Sequence, residues 1–333
     1  MSQPNSPSRS TSRSINRATT DDTPPDPRPI LVIGSTGTVG REVVRALLAK
    51  NAEITVLLRP RTRETTPPNG VRVVVGDLDD ARTVEHAVAG ARAVFFVNPH
   101  EPNEERYAEN VLSACERTRT PLVFLGVHAD ARWGWLRALL RAVYGTLFPR
   151  YRRRLRIGER VFSAATKTQL LLASPFFQNE EVFRADILKG RYTQPLGERG
   201  VTQVDVLDIA EVAATLLLDA TRQDEALHPR GCFPLTGPDA VSGPEAAAIW
   251  AEMLGRGVEY VGHDGEAWRA AIRQNLHGHK RDDWLKTYET LAKMAGGPKP
   301  DELRRTTELL GRAPRGYRAY VADAVAAMAN QAL

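Results

Sequence analysis

No stretch of this 333-residue chain approaches 18 uninterrupted apolar residues, so a membrane span is not expected. Cysteine is scarce. Cys115 and Cys232 are far apart and lack metal-ligand spacing, which suits a reduced, cytoplasmic protein; a structural disulfide is the alternative. His277-Gly278-His279 has no third ligand at a suitable spacing, so no metal site is expected. The first 29 residues lack the apolar segment of a secretory signal, and their Ser, Thr, Pro and Arg content reads as a disordered tail. Internal repeats are absent. What the chain does have is 42% hydrophobic residues, with five Trp, eight Tyr and nine Phe, enough to bury a sizeable core. Its net charge of +5 is concentrated: residues 131–160 hold nine arginines and one acid, which leaves the remainder net negative.

Order is expected from Ile30 onward. Ile30–Ile33 is a short apolar run ending in glycine, the pattern of a buried parallel strand. Val39, Val43 and Leu47 then recur at four-residue intervals, the spacing of one helix face. Ile54–Leu58, Val71–Val75, Ala93–Val97, Leu122–Val127 and Gln169–Ala173 read as further strands, with helices over Arg82–Ala89 and Tyr107–Arg117. Strand and helix alternating at this spacing specify an α/β fold, a doubly wound parallel sheet covered on both faces. Val201–Val206 reads as another strand and Ile209–Ala220 as a helix, with Asp208 and Glu211 at capping-box spacing. Ser242-Gly243-Pro244-Glu245 opens a helix that Gly255 closes. Beyond Gly265 the chain reads as amphipathic helix broken at Gly296-Gly297-Pro298 and Arg312-Ala313-Pro314.

Between the first strand and first helix stands Gly34-Ser35-Thr36-Gly37-Thr38-Val39-Gly40. Glycine lets the backbone approach a pyrophosphate, and a helix start offers free N–H groups and a positive dipole end. This placement predicts a dinucleotide-binding Rossmann unit; a tight packing turn without a ligand is the alternative. A binder of NAD needs an acid at the end of the second strand to accept from the ribose hydroxyls. Here that strand ends in Arg59-Pro60-Arg61, with Arg63 close behind, and guanidinium groups suit a 2′-phosphate. The expected cofactor is NADP(H). Asp77, ending the third strand with Leu78 beside it, is expected to accept from the adenine amino group, or to cap the next helix.

These motifs, with Gly76–Asp80, Val94–Val97, Pro175-Phe176-Phe177-Gln178-Asn179, Val204–Glu211, Leu235-Thr236-Gly237-Pro238 and Gly311–Tyr317, resemble the NmrA-like family of atypical short-chain dehydrogenases/reductases. The resemblance covers about residues 30–262 and implies a Rossmann domain with a smaller, interleaved substrate lobe and a cleft between them. Expected boundaries are residues 30–175 for the cofactor core, with 201–220 returning to it, and 176–200 with 221–333 for the substrate lobe. The resemblance also implies that Asn98, Pro99, Gly126 and Val127 line the nicotinamide end, and that Phe177 and Asn179 face the substrate.

Two positions depart from the conventional enzymes of this class. The fifth strand carries Gly126 where a serine is expected, and Tyr151-Arg152-Arg153-Arg154-Leu155 places leucine at the lysine position of Tyr-x-x-x-Lys. That lysine ordinarily lowers the tyrosine pKa for proton exchange. Tyr151 and His128 remain as proton-transfer candidates, and Arg154 or Arg156 as anchors for ribose or an anionic substrate, since guanidinium stays charged. Three functions stay open: an NADP(H)-dependent reductase of a small apolar carbonyl, imine or activated alkene; a non-catalytic NADP(H) sensor that binds a protein partner; and a redox-neutral cyclase or isomerase. Apolar residues at 136, 139, 140, 143 and 147 interleave with arginines as a basic amphipathic helix. It reads as an insert packed over the cleft. A protein partner or homo-oligomer contact through residues 132–156 and an anionic membrane surface are the alternatives. No DNA-binding motif accompanies the charge, so nucleic acid is not expected as a partner.

Overall fold

The computed structural model describes residues 26–60, 70–127, 149–219, 231–291 and 296–331. Their strands are β1 (Ile30–Ile33), β2 (Ile54–Leu58), β3 (Val71–Val75), β4 (Ala93–Val97), β5 (Leu122–Val127), β6 (Thr168–Ala173), β7 (Arg191–Tyr192), β8 (Val201–Thr202), β9 (Gly231–Leu235), β10 (Ala240–Val241) and β11 (Glu259–Tyr260). The helices are α1 (Thr38–Ala49), α2 (Ala81–Ala89), α3 (Glu104–Thr118), α4 (Pro149–Phe162), α5 (Arg184–Ile187), α6 (Val206–Asp219), α7 (Gly243–Leu254), α8 (Gly265–Asn275), α9 (Gly278–Leu291), α10 (Pro300–Leu310) and α11 (Tyr317–Gln331). Seven strands form one sheet in the order β3-β2-β1-β4-β5-β6-β9, every neighbouring pair parallel. This is the doubly wound α/β sheet expected from the sequence.

Alternation along each strand divides the core in two. Ile30 and Val32 face one side with Phe95 and Leu171, beneath Val43 and Leu47 of α1 and Ile209 and Leu216 of α6. Leu31 and Ile33 face the other with Phe96 and Phe124, beneath Val84 of α2, Val111 of α3 and Val161 of α4. The strands inside the sheet are therefore dry on both faces, which is why they read as apolar runs, whereas the edge strand β3 leaves Val73 and Val75 exposed.

β9 is absent from the sequence reading, which assigned its residues to the second lobe. Pro234 interrupts the segment, and proline cannot donate to a ladder, which disfavours an interior strand there. The structure accommodates it at the sheet's edge, where β9 pairs with β6 and has no other neighbour among the described residues. α10 packs there as well. Thr306 Oγ1 donates to Pro234 O at 3.2 Å and accepts from Thr236 N at 3.1 Å, and Leu310 joins the first sheet core.

A third apolar cluster holds the second lobe, drawing on Phe183, Ile187, Trp250, Trp268, Ile272 and Val321. Within it lies the carboxyl of Glu180, 1% exposed. Tyr192 Oη donates to its Oε2 at 3.0 Å, Trp250 Nε1 donates to Oε1 at 3.1 Å, and Tyr317 Oη donates to Oε2. Burial pushes this carboxyl up to about 7, against the hydrogen bonds that favour its charged form.

The lobes meet in a buried knot that joins three separated segments. Helix α6 begins three residues earlier than expected, because Asp205, not Asp208, caps it. The Asp205 Oδ1 accepts from Leu207 N at 3.0 Å and from Gln178 Nε2 at 2.8 Å, and its Oδ2 accepts from Arg315 Nε at 2.8 Å. Asp208 lies inside the first turn and accepts from Arg312 Nη2 at 2.8 Å and from Arg315 N at 2.7 Å. Burial raises the Asp208 pKa, opposed by these donors. Residues 175–179, 204–211 and 311–317, far apart in sequence, are thus tied together by one set of buried bonds. Removing one carboxylate strands several partners at once, so Asp205→Ala should lower unfolding free energy by about 3–4 kcal/mol in urea titration. A loss below about 1 kcal/mol would show that the knot is not a major tie.

Candidate dinucleotide site

The sheet order reverses between β1 and β4, and ligands of doubly wound sheets bind outside the strand ends at such a switch point. The glycine loop lies there. Gly34 adopts φ +91°, and a Cβ added to it would come within 2.5 Å of Val97 Cγ1 on β4, so a side chain is excluded twice over. Gly40 is excluded by packing, since its added Cβ would meet Gly34 O at 2.1 Å. Gly37 differs. Its φ of −81° and ψ of 170° suit any residue, and an added Cβ would meet only Gly34 O, at 3.4 Å. Nothing among the described residues demands glycine at that position.

Gly37 is also the N-cap of α1. No side chain caps this helix, and no acid occupies its first turn. Thr36, Gly37 and Thr38 are exposed and Ser35 is half-buried, whereas Val39 points into the sheet core. An exposed, acid-free helix start with an open glycine fits a pyrophosphate, which needs close backbone approach and free N–H donors. The residues present therefore fit a dinucleotide.

Arg59 follows β2 and remains half-exposed, but its Nη2 pairs with Glu101 Oε1 at 2.7 Å. Glu101 in turn accepts from Tyr107 Oη at 3.1 Å through Oε2. Asp77 is close enough to Arg59 to favour its charged form. The Asp77 Oδ1 accepts from Asp79 N at 3.0 Å, closing a turn. Capping of α2 falls to Asp80, which accepts from Arg82 N and Thr83 Oγ1, so the capping alternative for Asp77 is not realised. Leu78 is 6% exposed and packs into the second sheet core. Its side chain is therefore turned into the core, against the expected cofactor contact.

Asn98 is buried at the end of β4, with Nδ2 donating to Glu104 O at 2.8 Å. Its Oδ1 has no hydrogen-bond partner among the described residues. Pro99 is half-buried beside it and accepts from Glu101 N at 2.9 Å. Gly126, half-buried, stands opposite Leu172 near the end of β5. The loop, Arg59, Asp77, Asn98, Pro99 and Gly126 thus all follow or end neighbouring strands on one edge of the sheet.

Other expected residues lie elsewhere. Phe177 is 1% exposed, stacked on Tyr320 at 5.6 Å and edge-on to Tyr317 at 5.3 Å, so it builds the second-lobe core instead of facing a cleft. Asn179 beside it is half-buried. Arg156 is exposed on α4 and pairs with Glu105 of α3 at 3.0 Å, a surface contact away from the inward face. Arg154 is the inward arginine: it bonds Asp283 of α9 at 2.8 Å and lies 3.9 Å from Glu104. Burial raises the Glu104 pKa, and Arg154 acts against that rise. Leu155, at the vacant lysine position, is half-buried. His128, Arg61, Arg63 and the basic segment through residue 148 lie outside the described residues, as does the side chain of Tyr151.

Glu101 and the Arg154–Asp283 pair have no place in the sequence reading. Arg59 and Glu101 are 42 residues apart, and Arg154 and Asp283 are 129 apart. No local spacing reports such contacts; a cluster of acids just after a strand end is the one signal pointing to Glu101.

A family model described as NAD(P)H-binding matches residues 34–220. An NAD(P)H azoreductase of Xenophilus azovorans is 29% identical over 247 residues, covering 70% of this chain and 76% of the relative. A (4-alkanoyl-5-oxo-2,5-dihydrofuran-3-yl)methyl phosphate reductase of Streptomyces griseus is 26% identical over 305 residues, 91% of this chain and 100% of the relative. Among solved structures, an NADPH-dependent quinone oxidoreductase from Escherichia coli in complex with NADPH superposes with a TM-score of 0.70 at 17% identity, covering 90% and 99% of the two chains. A Citrobacter triphenylmethane reductase in complex with NADP(H) superposes with a TM-score of 0.70 at 18% identity, covering 89% and 99%. With the family model spanning more than half its length, and a glycine loop built as that cofactor requires, the chain belongs to the NAD(P)H-binding family.

Proposed function

We propose that the protein is an NADP(H)-dependent reductase of the NmrA-like type, acting on electron-poor conjugated acceptors. The observation that carries the cofactor reading is the open, acid-free helix start at Gly37, with the Arg59 guanidinium at the next strand end. In this reading the first turn of α1 holds the pyrophosphate, Arg59 holds the 2′-phosphate and Asp77 faces the adenine. Asn98, Pro99 and Gly126 border the nicotinamide end. When bound, a reduced nicotinamide supplies a hydride.

The choice of acceptor follows from what the chain has at the proton-transfer positions. Gly126 and Leu155 provide neither hydroxyl nor ammonium, so Tyr151 has no lysine at the usual position to lower its pKa, and Arg154 is paired with carboxylates. A simple ketone reduced here would become an alkoxide, a strong base that needs a proton during the step. A quinone, an enone or a related activated alkene becomes a phenolate or enolate instead, stable enough to take its proton from water. Relatives named for azo, dihydrofuranone, quinone and triphenylmethane reduction support the same class.

Anaerobic oxidation of NADPH, followed at 340 nm with menadione, an azo dye, a cyclic enone and an unactivated ketone, tests this. Turnover is expected with the conjugated acceptors and at least about 100-fold less with the ketone. Equal turnover of the ketone, or no turnover of any acceptor, would contradict the proposal.

A further inference from the structure

The acid that an NAD-binding sheet places at the end of its second strand is missing from that position, yet the fold supplies one from elsewhere. Glu101 lies in the loop after β4 and bonds Arg59, which follows β2. β2 and β4 both pair with β1, one on each side, so they lie about 10 Å apart. The Arg59–Glu101 contact therefore spans the end of β1, where the glycine loop begins. Both side chains keep more than a third of their surface exposed, so the contact can open without unfolding its surroundings. Glu101 keeps a second tie, because Tyr107 of α3, itself buried, donates to its other oxygen at 3.1 Å.

We propose that Glu101 is a specificity-determining residue: it competes with the 2′-phosphate for Arg59 and offers a carboxylate to the ribose hydroxyl of a cofactor that lacks that phosphate. The inference rests on the reading of Arg59 as the 2′-phosphate contact. A phosphate dianion entering beside Arg59 has to displace the carboxylate and then stand near it, a repulsive element that lowers affinity for one ligand without helping the other. A 2′-hydroxyl meets no such repulsion and gains an acceptor, the role an acid at the strand end fills in NAD-binding sheets. The Tyr107 hydroxyl holds Glu101 when Arg59 turns to a phosphate. NADP(H) preference is thereby held below what Arg59 alone would give.

Isothermal titration of the full chain with 2′,5′-ADP and 5′-AMP separates the two ideas. Glu101→Gln keeps the side-chain shape and an oxygen for Tyr107 but removes the charge. It should strengthen 2′,5′-ADP binding about three- to tenfold, on the scale of a half-exposed ion pair plus the relieved repulsion, and leave 5′-AMP unchanged or weaker. If 2′,5′-ADP binding is unchanged or weaker, or both ligands gain equally, the role given to Glu101 is wrong. Arg59→Ala should abolish the advantage of 2′,5′-ADP over 5′-AMP. If it does not, the reading of Arg59 and the inference built on it fall together. An Arg59→Ala loss with no Glu101→Gln gain removes the inference alone.

Discussion

Gly37→Val should weaken NADPH binding at least about 100-fold while leaving the thermal midpoint within a few degrees of the parent. The two halves of this result have separate causes. Valine favours extended backbone, and Gly37 already has φ −81° and ψ 170°. Its Cβ would find only Gly34 O, at 3.4 Å. Loss of glycine as a cap costs about 1 kcal/mol at most. The branched side chain would, however, stand over the first turn of α1, where a pyrophosphate has to touch backbone. Gly40→Ala is the control with the opposite signature. Its Cβ would sit 2.1 Å from Gly34 O, so α1 has to shift away from the loop, at a cost of about 2–3 kcal/mol or more. A Gly37→Val protein that binds NADPH normally, or that unfolds as readily as Gly40→Ala, would contradict this division of roles.

The second large effect is on stability and comes from Glu180. Its folded pKa, about 7, lies above the ordinary carboxylate value. Its contribution is therefore fully present below about pH 4.5 and is lost as pH rises through 7. The groups that hydrogen-bond it are neutral, so the charged form sits in the second-lobe core without a cation among those donors. Holding it there costs about 3 kcal/mol above neutrality. Glu180→Gln should remove that dependence and make the protein more stable than the parent at pH 8, by about 1–3 kcal/mol in urea titration. Its amide oxygen still accepts from Trp250, and the tyrosine hydroxyls can turn to accept from its nitrogen. Glu180→Ala should instead destabilise at pH 6, because Trp250, Tyr192 and Tyr317 lose their shared acceptor. A parent whose stability is flat between pH 5 and 8 would overturn the reading.

Much of the sheet is legible in the sequence because its inner strands are dry on both faces, and the exposed edge strand β3 because it is rich in valine. β1 to β5 appear as apolar runs at the bounds the sequence suggests, and β6 differs by one residue. The helix after Ser242 is legible from chemistry: the Ser242–Glu245 capping box is complete, and Gly255 ends the helix at φ +65°. Errors arise where two residues compete for one local role, or where the deciding contact is remote. Asp205 and Asp208 both suit a helix start, and only the burial of Asp208 against Arg312 and Arg315 separates them. Phe177 reads as a substrate contact until Tyr317 and Tyr320, on the last helix, are seen against its ring. The cofactor loop is the reverse case. Its glycines are local, so both the loop and its strand–helix setting are legible, whereas the acid that faces Arg59 arrives from another strand's loop.

On the proposed reading this chain binds NADP(H) at the loop Gly34–Gly40 and reads the 2′-phosphate with Arg59. Isothermal titration of the parent protein with NADPH and NADH tests it most directly. One site per chain is expected, with NADPH bound more tightly than NADH and the difference abolished in Arg59→Ala. Failure to bind either nucleotide, or a preference that survives Arg59→Ala, would contradict the account.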